Sequence, residues 1–471
     1  MLNRFARFVT VFSLLLYFSA TPLAGVAAQQ PGATAAPQRE QLLNGLPILV
    51  WPQPGEPKVL LRLRINSGTA FDLAGKDGMT QLLADTLFPD PTTRQYVAEE
   101  LEGRLHVSAT YDYLDISLSG RASDFERLVE LLRNAVVNIR LGNEEVTRLR
   151  DERVKRTKEL SEAVAWQADR AIKSRLYGEY PYGRLPAGTP ETLARAARPD
   201  LMLARDRFLH PNNSTLIVIG GVERNRAMRA FRQFLGAWRK GDAIVPASFR
   251  QPETPATSTL LVDLPGSTTN EVRLAVRGLS RADRDQTAAR LLALIASTRW
   301  QAILGNGHTA TARHDAHALG GVLTLSASVD TATTLKTFAA GREVLQNLAA
   351  AMPATTAELE KAKQTALAEL NQRRAQDGTN FLAEQWLDAA TYGLPANYDE
   401  AQAINSVTTA DAQRVAARLL GNAPPVSVVV GDAARLREEL SKLPGGIETP
   451  GTDTGVKTPT ATTSPPPAKR P

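Results

Sequence analysis

The sequence predicts an α+β fold with two homologous domains joined by a linker. Segments with strand-like and helix-like hydrophobic periodicity follow one another along the chain, and their order occurs twice. A buried strand that ends in glycine lies at the same stage of each copy, at Gly220 and at Gly431, which are 431 minus 220, or 211, residues apart. A period this long indicates a duplicated domain, because solenoid repeats span roughly 20 to 50 residues.

The composition is that of a globular protein and excludes several classes of function. Hydrophobic residues make up 43% of the 471 residues and charged residues 22%, which is enough to form substantial cores. Because the chain has no cysteine, a disulfide framework, thiol catalysis and cysteine-ligated metal are excluded. The net charge of +6 is modest and no dense basic block lies beside aromatic residues, so we expect no nucleic-acid binding.

The N-terminus has the features of a secretory signal peptide. Arg4 and Arg7 precede an apolar core, and small residues precede Gln29, as at a cleavage site. The apolar run is shorter than the roughly 20 residues that a bilayer span needs, which disfavours the rival interpretation as an uncleaved anchor. We therefore expect residues 1–28 to be removed, leaving an exported protein without a transmembrane segment, periplasmic if the source is a Gram-negative bacterium. Residues 29–41 are predicted to be a flexible polar lead.

The first domain is predicted over residues 42–240. Alternating polarity and β-branched residues indicate its strands, and apolar positions at helical spacing indicate its helices. Strands are predicted at 47–51, 59–65, 106–111, 113–120 and 213–221, and helices at 78–88, 97–105, 125–136, 143–160, 199–208 and 224–238. The helix at 143–160 is highly charged, so most of its surface should face solvent or a cleft.

The second domain is predicted over residues 259–443, after a Pro-rich, polar linker at 241–258. The same two periodicities locate its elements. Strands are predicted at 259–264, 271–276, 322–329 and 426–432, and helices at 282–297, 335–351, 356–375 and 410–419. Pro, Thr and Gly dominate residues 444–471, so this tail should be disordered.

Three segments carry a resemblance to a known family. Residues 78–88 occupy the place of a G-x-x-H-x-x-E-H helix, including the Leu87-Phe88 that typically follows. Residues 180–183 resemble its H-P-Y-G segment, and 208–213 its Y-x-P-x-N before a V-V-V-G-D strand. Over residues 40–440 the chain thus resembles the pitrilysin/insulinase zinc peptidases (inverzincins), in particular the two-domain chains of bacterial processing-protease-like proteins and the mitochondrial processing peptidase. The resemblance implies that a mostly antiparallel sheet covered by helices forms each domain.

The zinc-binding residues of that family are absent from the helix. In H-x-x-E-H the two histidines bind the metal and the glutamate is the general base, whereas the corresponding residues here are Gln81, Ala84 and Asp85. The resemblance makes Glu159, in an E-R-x-x-x-x-x-E segment, a possible remnant of the third ligand. Two carboxylates and an amide do not suit tetrahedral zinc, and alanine cannot accept a proton. We therefore expect no cofactor and no family-type hydrolysis.

A second element of the active family, an R-x-x-x-x-x-x-Y pair that holds substrate, is also absent. Its arginine should fall near Leu304 or Gly305, and its tyrosine near Thr311 or Ala312. In paired members of the family the partner that lacks zinc can supply this pair. The absence of the pair therefore also argues against this chain supplying it to a zinc-bearing partner.

The remaining histidines offer a different metal hypothesis. His308, His314 and His317 lie close together in sequence, but the stretch is Gly-rich and is predicted to be a loop with adventitious or no metal binding. His106 and His210 have no partner signature and are interpreted as structural.

Three functions remain open after these comparisons of motif and pattern. The first is a non-catalytic subunit that forms a heterodimer with a homologous zinc-bearing peptidase subunit and binds extended peptides or unfolded protein. The second is a divergent zinc metalloendopeptidase that uses Asp85, Glu159 and an unidentified third ligand. The third is a free-standing chaperone or scaffold.

Overall fold

The computed structural model describes residues 36–242, 249, 258–395, 398–421, 424–442 and 445–449. The predicted signal peptide, most of the predicted linker and most of the predicted tail lie outside these described residues. Within them, no helix is both long enough and apolar enough to cross a membrane.

The first half of the chain contains six strands and eight α-helices among the described residues. The strands are β1 (Gln38–Gln41), β2 (Pro47–Pro52), β3 (Lys58–Ile65), β4 (Arg104–Ala109), β5 (Leu114–Arg121) and β6 (Ser214–Gly220). The helices are α1 (Met79–Thr86), α2 (Pro91–Glu99), α3 (Phe125–Val136), α4 (Asn143–Ser161), α5 (Val164–Tyr177), α6 (Pro190–Ala194), α7 (Arg198–Phe208) and α8 (Arg224–Leu235).

The second half repeats this composition, with six strands and seven α-helices in the part that the structure describes. The strands are β7 (Thr259–Asp263), β8 (Asn270–Gly278), β9 (Thr309–Ala316), β10 (Gly321–Val329), β11 (Val426–Gly431) and β12 (Ile447–Glu448). The helices are α9 (Gln286–Leu304), α10 (Thr331–Gln346), α11 (Thr356–Gln376), α12 (Gly378–Tyr392), α13 (Glu400–Ser406), α14 (Thr409–Leu420) and α15 (Ala433–Ser441).

The two sheets share the order and directions of five strands and differ in the sixth, an edge strand. Sheet A has the order β1-β2-β6-β3-β5-β4 and sheet B the order β12-β7-β11-β8-β10-β9. In sheet A only β2 and β6 are parallel, and in sheet B β7 is parallel to both β11 and β12. The register repeats as well, because Leu60 pairs with Ile219 and Glu271 pairs with Val430, each partner shifted by 211 residues. The predicted α+β class with duplicated sheets is confirmed, with mixed sheets.

Several segments differ from their predicted structure. β1 lies in the predicted flexible lead and β12 in the predicted disordered tail, because each pairs with a neighbouring strand, β2 and β7. The predicted helix at 97–105 is wrong: α2 starts earlier, where Asp90 accepts a hydrogen bond from the Thr92 N–H and Pro91 occupies the first turn, and β4 begins at Arg104. The predicted loop around His314 is also wrong, since residues 309–316 form β9.

Helices cover one face of each sheet and form its core. In sheet A, Leu61 and Leu63 of β3 pack in one cluster with Leu82 of α1. In sheet B, Leu274 of β8 packs in one cluster with Trp300 of α9. The motif helix α1 and its counterpart α9 therefore lie on the same relative side of the two sheets.

The second face of each sheet is covered in part by one helix from the other half of the chain. α12 packs Ala383 and Leu387 against Leu60 of sheet A, within a buried apolar cluster. Reciprocally, α5 packs Ile172 against Ala275 of sheet B in another buried cluster. This exchange of helices makes the contact between the halves part of the hydrophobic core.

Candidate functional site

The position of the motif helix α1 is fixed at its N-terminus. Gly78 precedes the helix with φ 90°, and a Cβ there would lie 2.6 Å from the Ala187 carbonyl oxygen. The buried Asp72 carboxylate accepts hydrogen bonds from the N–H groups of Gly78 (2.7 Å) and Thr80 (2.9 Å). Burial raises the pKa of the Asp72 carboxyl to about 7, while the hydrogen bonds from Thr80 oppose this rise. Only glycine suits this entry to the helix.

The three motif positions on α1 are all occupied by structural contacts. The Gln81 side-chain N–H donates to the Ala109 carbonyl at the end of β4, at 2.6 Å. Ala84 is buried in the apolar core. Both oxygens of Asp85 accept from Arg153 of α4, from Nε at 2.5 Å and from Nη2 at 2.7 Å. The charge of Asp85 is therefore already balanced by a side chain of the same protein.

Glu159 makes no contact of its own with these positions. It is exposed on α4, about 9 Å farther along the helix axis than Arg153, at 1.5 Å per residue. Within the described part of the chain Glu159 forms no hydrogen bond or salt bridge. The structure thus joins Asp85 to Arg153, which the sequence pattern missed, and leaves Glu159 apart from both.

The residues present do not fit a zinc ion. Gln81 uses its amide nitrogen as a donor to the backbone, and Asp85 has both oxygens bound to a guanidinium. Zinc needs three ligands with free lone pairs. Among the described residues, no group of three or more His, Asp or Glu side chains could hold a metal ion.

The segment expected to carry the arginine–tyrosine pair has another structure and chemistry. Leu304 ends α9, and Gly305 follows in the left-handed region with φ 74°. On β9, Thr311 is exposed and Ala312 is buried. None of these side chains can supply the charge or the phenol of the active family.

The three clustered histidines do not converge on one point. The Nε2 of the buried His314 accepts from the Leu279 N–H at 2.9 Å, and burial lowers the pKa of His314 to about 4. His317 packs against the Tyr111 ring at 4.8 Å, and burial lowers its pKa too. His308 instead lies 3.8 Å from Asp330. His314 and His317 are thus neutral, packed side chains at pH 7.

The other two histidines lie elsewhere in the first half. His106 on β4 lines a cleft on sheet A, described below. The ring nitrogens of His210 lie within hydrogen-bond distance of the backbone carbonyls of Asp206 and Arg239, at 2.7 and 3.2 Å. This pair of backbone contacts gives His210 a structural role.

The Y-P-Y-G segment forms a polar contact between the halves. The Tyr182 hydroxyl donates to one oxygen of Asp112 at 2.9 Å. The other oxygen accepts from the Tyr392 hydroxyl of α12 at 3.1 Å and from the Ala318 N–H at 3.0 Å. Asp112 therefore connects three segments, two of them from the second half.

Arg64 forms a second polar contact between the halves. Its side chain is fully buried on β3, with its charge shared between Asp115 of β5 and Asp388 of α12. The distances are 2.9 Å from Nε to Asp115 and 2.7 Å from Nη1 to Asp388, and the guanidinium lies 3.6 Å from the centre of the Tyr113 ring. Asp115 also pairs with Arg62 at 2.7 Å and Asp388 with Arg281 at 2.9 Å, so removal of Arg64 would take one of two arginine partners from each buried carboxylate.

A cleft of about 750 Å³ lies on the face of sheet A that α12 only partly covers. Side chains of β3, β4 and β5 line it, among them Arg62, Arg104 and His106, and Asn380 of α12 closes one side. Among the described strands, β4 pairs with β5 alone and so leaves one sheet edge open next to the cleft.

The comparisons with known proteins agree with this geometry. The family model described as the peptidase M16 inactive domain matches residues 196–366. No curated protein matches the sequence.

Three solved structures share the fold over most of the chain. A peptidase M16 inactive domain from Pseudomonas fluorescens is 19% identical, with a TM-score of 0.74 and coverage of 84% of this chain and 98% of the other. A protease from Helicobacter pylori is 16% identical, with a TM-score of 0.73 and coverage of 84% and 100%. A chain of complex III2 from Candida albicans with Inz-5 bound is 12% identical, with a TM-score of 0.70 and coverage of 86% and 99%.

The fold is peptidase-like, and the three positions on the motif helix that the resemblance relates to a metal site hold Gln81, Ala84 and Asp85. Residues 196–366 carry a domain of the inactive peptidase M16 type, and most of the chain has the fold of solved M16 (pitrilysin-like) structures. This finding confirms the resemblance inferred from residues 78–88, 180–183 and 208–213.

Proposed function

We propose that the chain is the non-catalytic subunit of a heterodimer, paired with a zinc-bearing M16 homologue, and that it helps to enclose and bind polypeptide. The observation that carries this proposal is the bidentate contact of Arg153 with Asp85. It places a fixed positive charge beside the motif helix, where the active family holds a metal cation. The hydrolytic chemistry is lost while the scaffold around it is complete.

The retained parts of the scaffold support a role in assembly. The exchanged helices α5 and α12 and the buried Arg64 hold the two halves together. A chain of complex III2, which is itself an assembly, has the same fold. A rigid two-sheet body suits a subunit whose task is to present a surface.

The open edge of sheet A supports the binding of extended polypeptide. β4 pairs on one side only among the described strands, so a peptide could add to it as a further strand. The adjacent cleft would receive alternate side chains of that peptide. A peptide with N-methyl groups on alternate residues cannot form such a ladder and should bind more weakly than its unmethylated copy.

Co-expression with the homologue that bears an intact H-x-x-E-H motif, sought first in the neighbouring gene, tests the pairing. We expect the two chains to co-purify as a heterodimer, and the peptide cleavage rate of the partner to change when this chain is added. A chain that stays monomeric and leaves the partner's activity unchanged would disprove the subunit role. The partner alone is the control.

Metal content tests the loss of catalysis separately. We expect the purified chain to contain less than stoichiometric zinc and to cleave no peptide by itself. Stoichiometric zinc together with chelator-sensitive cleavage by the isolated chain would establish the alternative, a divergent metalloendopeptidase.

Export is part of the proposal. Residues 1–28 have the charge and apolar pattern of a signal peptide. We expect the mature protein in the periplasmic fraction of a Gram-negative source to begin at Gln29, which N-terminal sequencing can check. A cytoplasmic protein that retains residues 1–28 would contradict this part.

A further inference from the structure

A second cleft, of about 510 Å³, lies where the first half meets the second, apart from the motif helix and from the cleft on sheet A. Its walls come from the segment after β4, from α5, and from α9, β9, α11 and α13 of the second half. Its charged lining consists of Lys173, Arg281, Arg290, Arg313 and Arg373, with the carboxylates of Asp315 and Glu400. Cations therefore outnumber carboxylates in the lining.

Each of the four arginines forms an ion pair with a carboxylate inside or next to the cleft. Arg290 and Arg373 both donate to Glu400, at 2.6 and 2.7 Å. The remaining ion pairs are Arg290 with Glu369 (2.8 Å), Arg281 with Asp388 (2.9 Å) and Arg313 with Asp315 (3.1 Å). These arginines are oriented by their partners and retain further N–H donors, since each guanidinium carries five.

Lys173 of α5 is the cation without a carboxylate. Its Nζ lies 3.3 Å from the Tyr111 hydroxyl and 5.2 Å from the centre of the Tyr111 ring. No Asp or Glu oxygen among the described residues lies within 4 Å of it, the distance that defines a salt bridge. Burial lowers the pKa of Lys173, the more distant carboxylates of Asp315 and Asp169 partly oppose this, and the positive charge of Arg313 adds to the lowering. The charged form of Lys173 therefore carries a desolvation cost, which a negatively charged ligand would offset.

The ligand that fits this combination is an oxyanion. A carboxylate or phosphate in the cleft would supply Lys173 with a counter-charge, and the exposed guanidinium of Arg313 could add charge-assisted hydrogen bonds. The histidines of the lining add no charge, because burial keeps both His314 and His317 neutral at pH 7. We propose that this cleft binds an oxyanion, with Lys173 and Arg313 as its principal cations.

The two sources of such a group are an acidic peptide and free phosphate. Calorimetric titration of the full chain with inorganic phosphate measures the affinity for free phosphate. Binding of a fluorescent peptide with two adjacent glutamates, compared with its glutamine copy at equal ionic strength, measures the affinity for an acidic peptide. The chain is used without a partner, so the result is independent of the proposed heterodimer.

Two variants and one matched control locate the site. We expect Lys173→Met and Arg313→Met each to weaken binding about tenfold, the loss of one charge-assisted hydrogen bond. Arg127→Met is the control, because Arg127 is also an exposed arginine paired with a carboxylate of its own element, Glu130. Arg313 is 75% exposed, so its replacement should leave the fold intact, which circular dichroism can verify.

The outcomes separate the sources and decide the proposal. Preference for the glutamate peptide, lost in the two cleft variants, identifies a peptide carboxylate, and a phosphate affinity lost in the same variants identifies phosphate. Absence of both, or equal weakening by Arg127→Met, would overturn the assignment of this cleft.

Discussion

Restoring the zinc motif should fail as long as Arg153 is present. The perturbation is the triple change Gln81→His, Ala84→Glu and Asp85→His, which rebuilds H-x-x-E-H on α1. In the present structure Arg153 donates to both oxygens of Asp85. After the change its guanidinium would adjoin an imidazole and the incoming metal, with no carboxylate at position 85 to balance it.

The size of the effect follows from the distances. The Nη2 of Arg153 lies 2.7 Å from an oxygen of Asp85, so a metal bound about 2 Å from a histidine at that position would lie roughly 4 Å from the guanidinium. A unit charge and a divalent ion at that distance repel by about 2 kcal/mol in water and by about 8 kcal/mol at an effective dielectric constant of 20. Because the side chains of Arg153 and Asp85 are only 12% and 23% exposed, the value in water is the conservative figure, and it corresponds to roughly 30-fold in affinity.

Zinc titration against a competing chelator measures this difference. The triple variant is compared with the same variant carrying Arg153→Gln, which we expect to bind about 30-fold more tightly. Arg148→Gln in the triple background is the control, because Arg148 is an exposed arginine of the same helix that pairs with Glu152. Equal zinc affinity with and without Arg153 would refute the electrostatic reasoning.

Glu159 can be tested in the same background. If it supplies the third ligand once the site is rebuilt, Glu159→Ala should remove most of the affinity gained with Arg153→Gln. An unchanged affinity would show that another group completes the site.

Three further predictions concern stability. Arg64→Met should lower the free energy of unfolding by about 3 kcal/mol in denaturant titrations, because Asp115 and Asp388 each lose one of their two arginine partners. A loss below about 1 kcal/mol would mean that the network is not needed. The pKa of His314 is lowered from 6.5 to about 4 in the folded chain, so the folded state binds fewer protons than the unfolded state between these pH values. The free energy of unfolding should therefore fall by up to about 3 kcal/mol as the pH decreases from 6.5 to 4. His314→Gln, which still offers an acceptor to the Leu279 N–H, should flatten this pH dependence. Gly55→Ala should lower the free energy of unfolding by about 1 kcal/mol, because its φ is positive but the space around it is open. Gly78→Ala should lower it by more in the same assay, because the added Cβ would also overlap the Ala187 carbonyl. Equal losses in the two variants would contradict the clash.

Local patterns were sufficient to predict the duplicated architecture. The glycine that ends β6 and its counterpart at the end of β11 gave the repeat length of 211 residues, which the strand register then matched. Strand and helix periodicity are local properties, so they survive in a single sequence. The motif helix was placed correctly for the same reason, at Met79–Thr86.

Contacts between distant segments could not be predicted in this way. Arg153 and Asp85 are 68 residues apart, and nothing in the charge pattern of α4 distinguishes that arginine from its charged neighbours. The exchange of α5 and α12 depends on which sheet face each helix covers, a tertiary property. β9 was missed because its inward positions are small, with Ala310 and Ala312, so its alternation is weak.

The second half supports the interpretation of the Arg153–Asp85 pair as a structural bridge. By their order relative to the sheets, α9 and α11 take the places of α1 and α4. An ion pair joins them too, with the charges exchanged: Arg290 of α9 donates to Glu369 of α11 at 2.8 Å. Both halves thus join the helix next to the sheet to the long charged helix through an arginine and a carboxylate. The Arg153–Asp85 pair on the motif helix therefore has a counterpart in the second half, as expected of a contact that stabilises the fold.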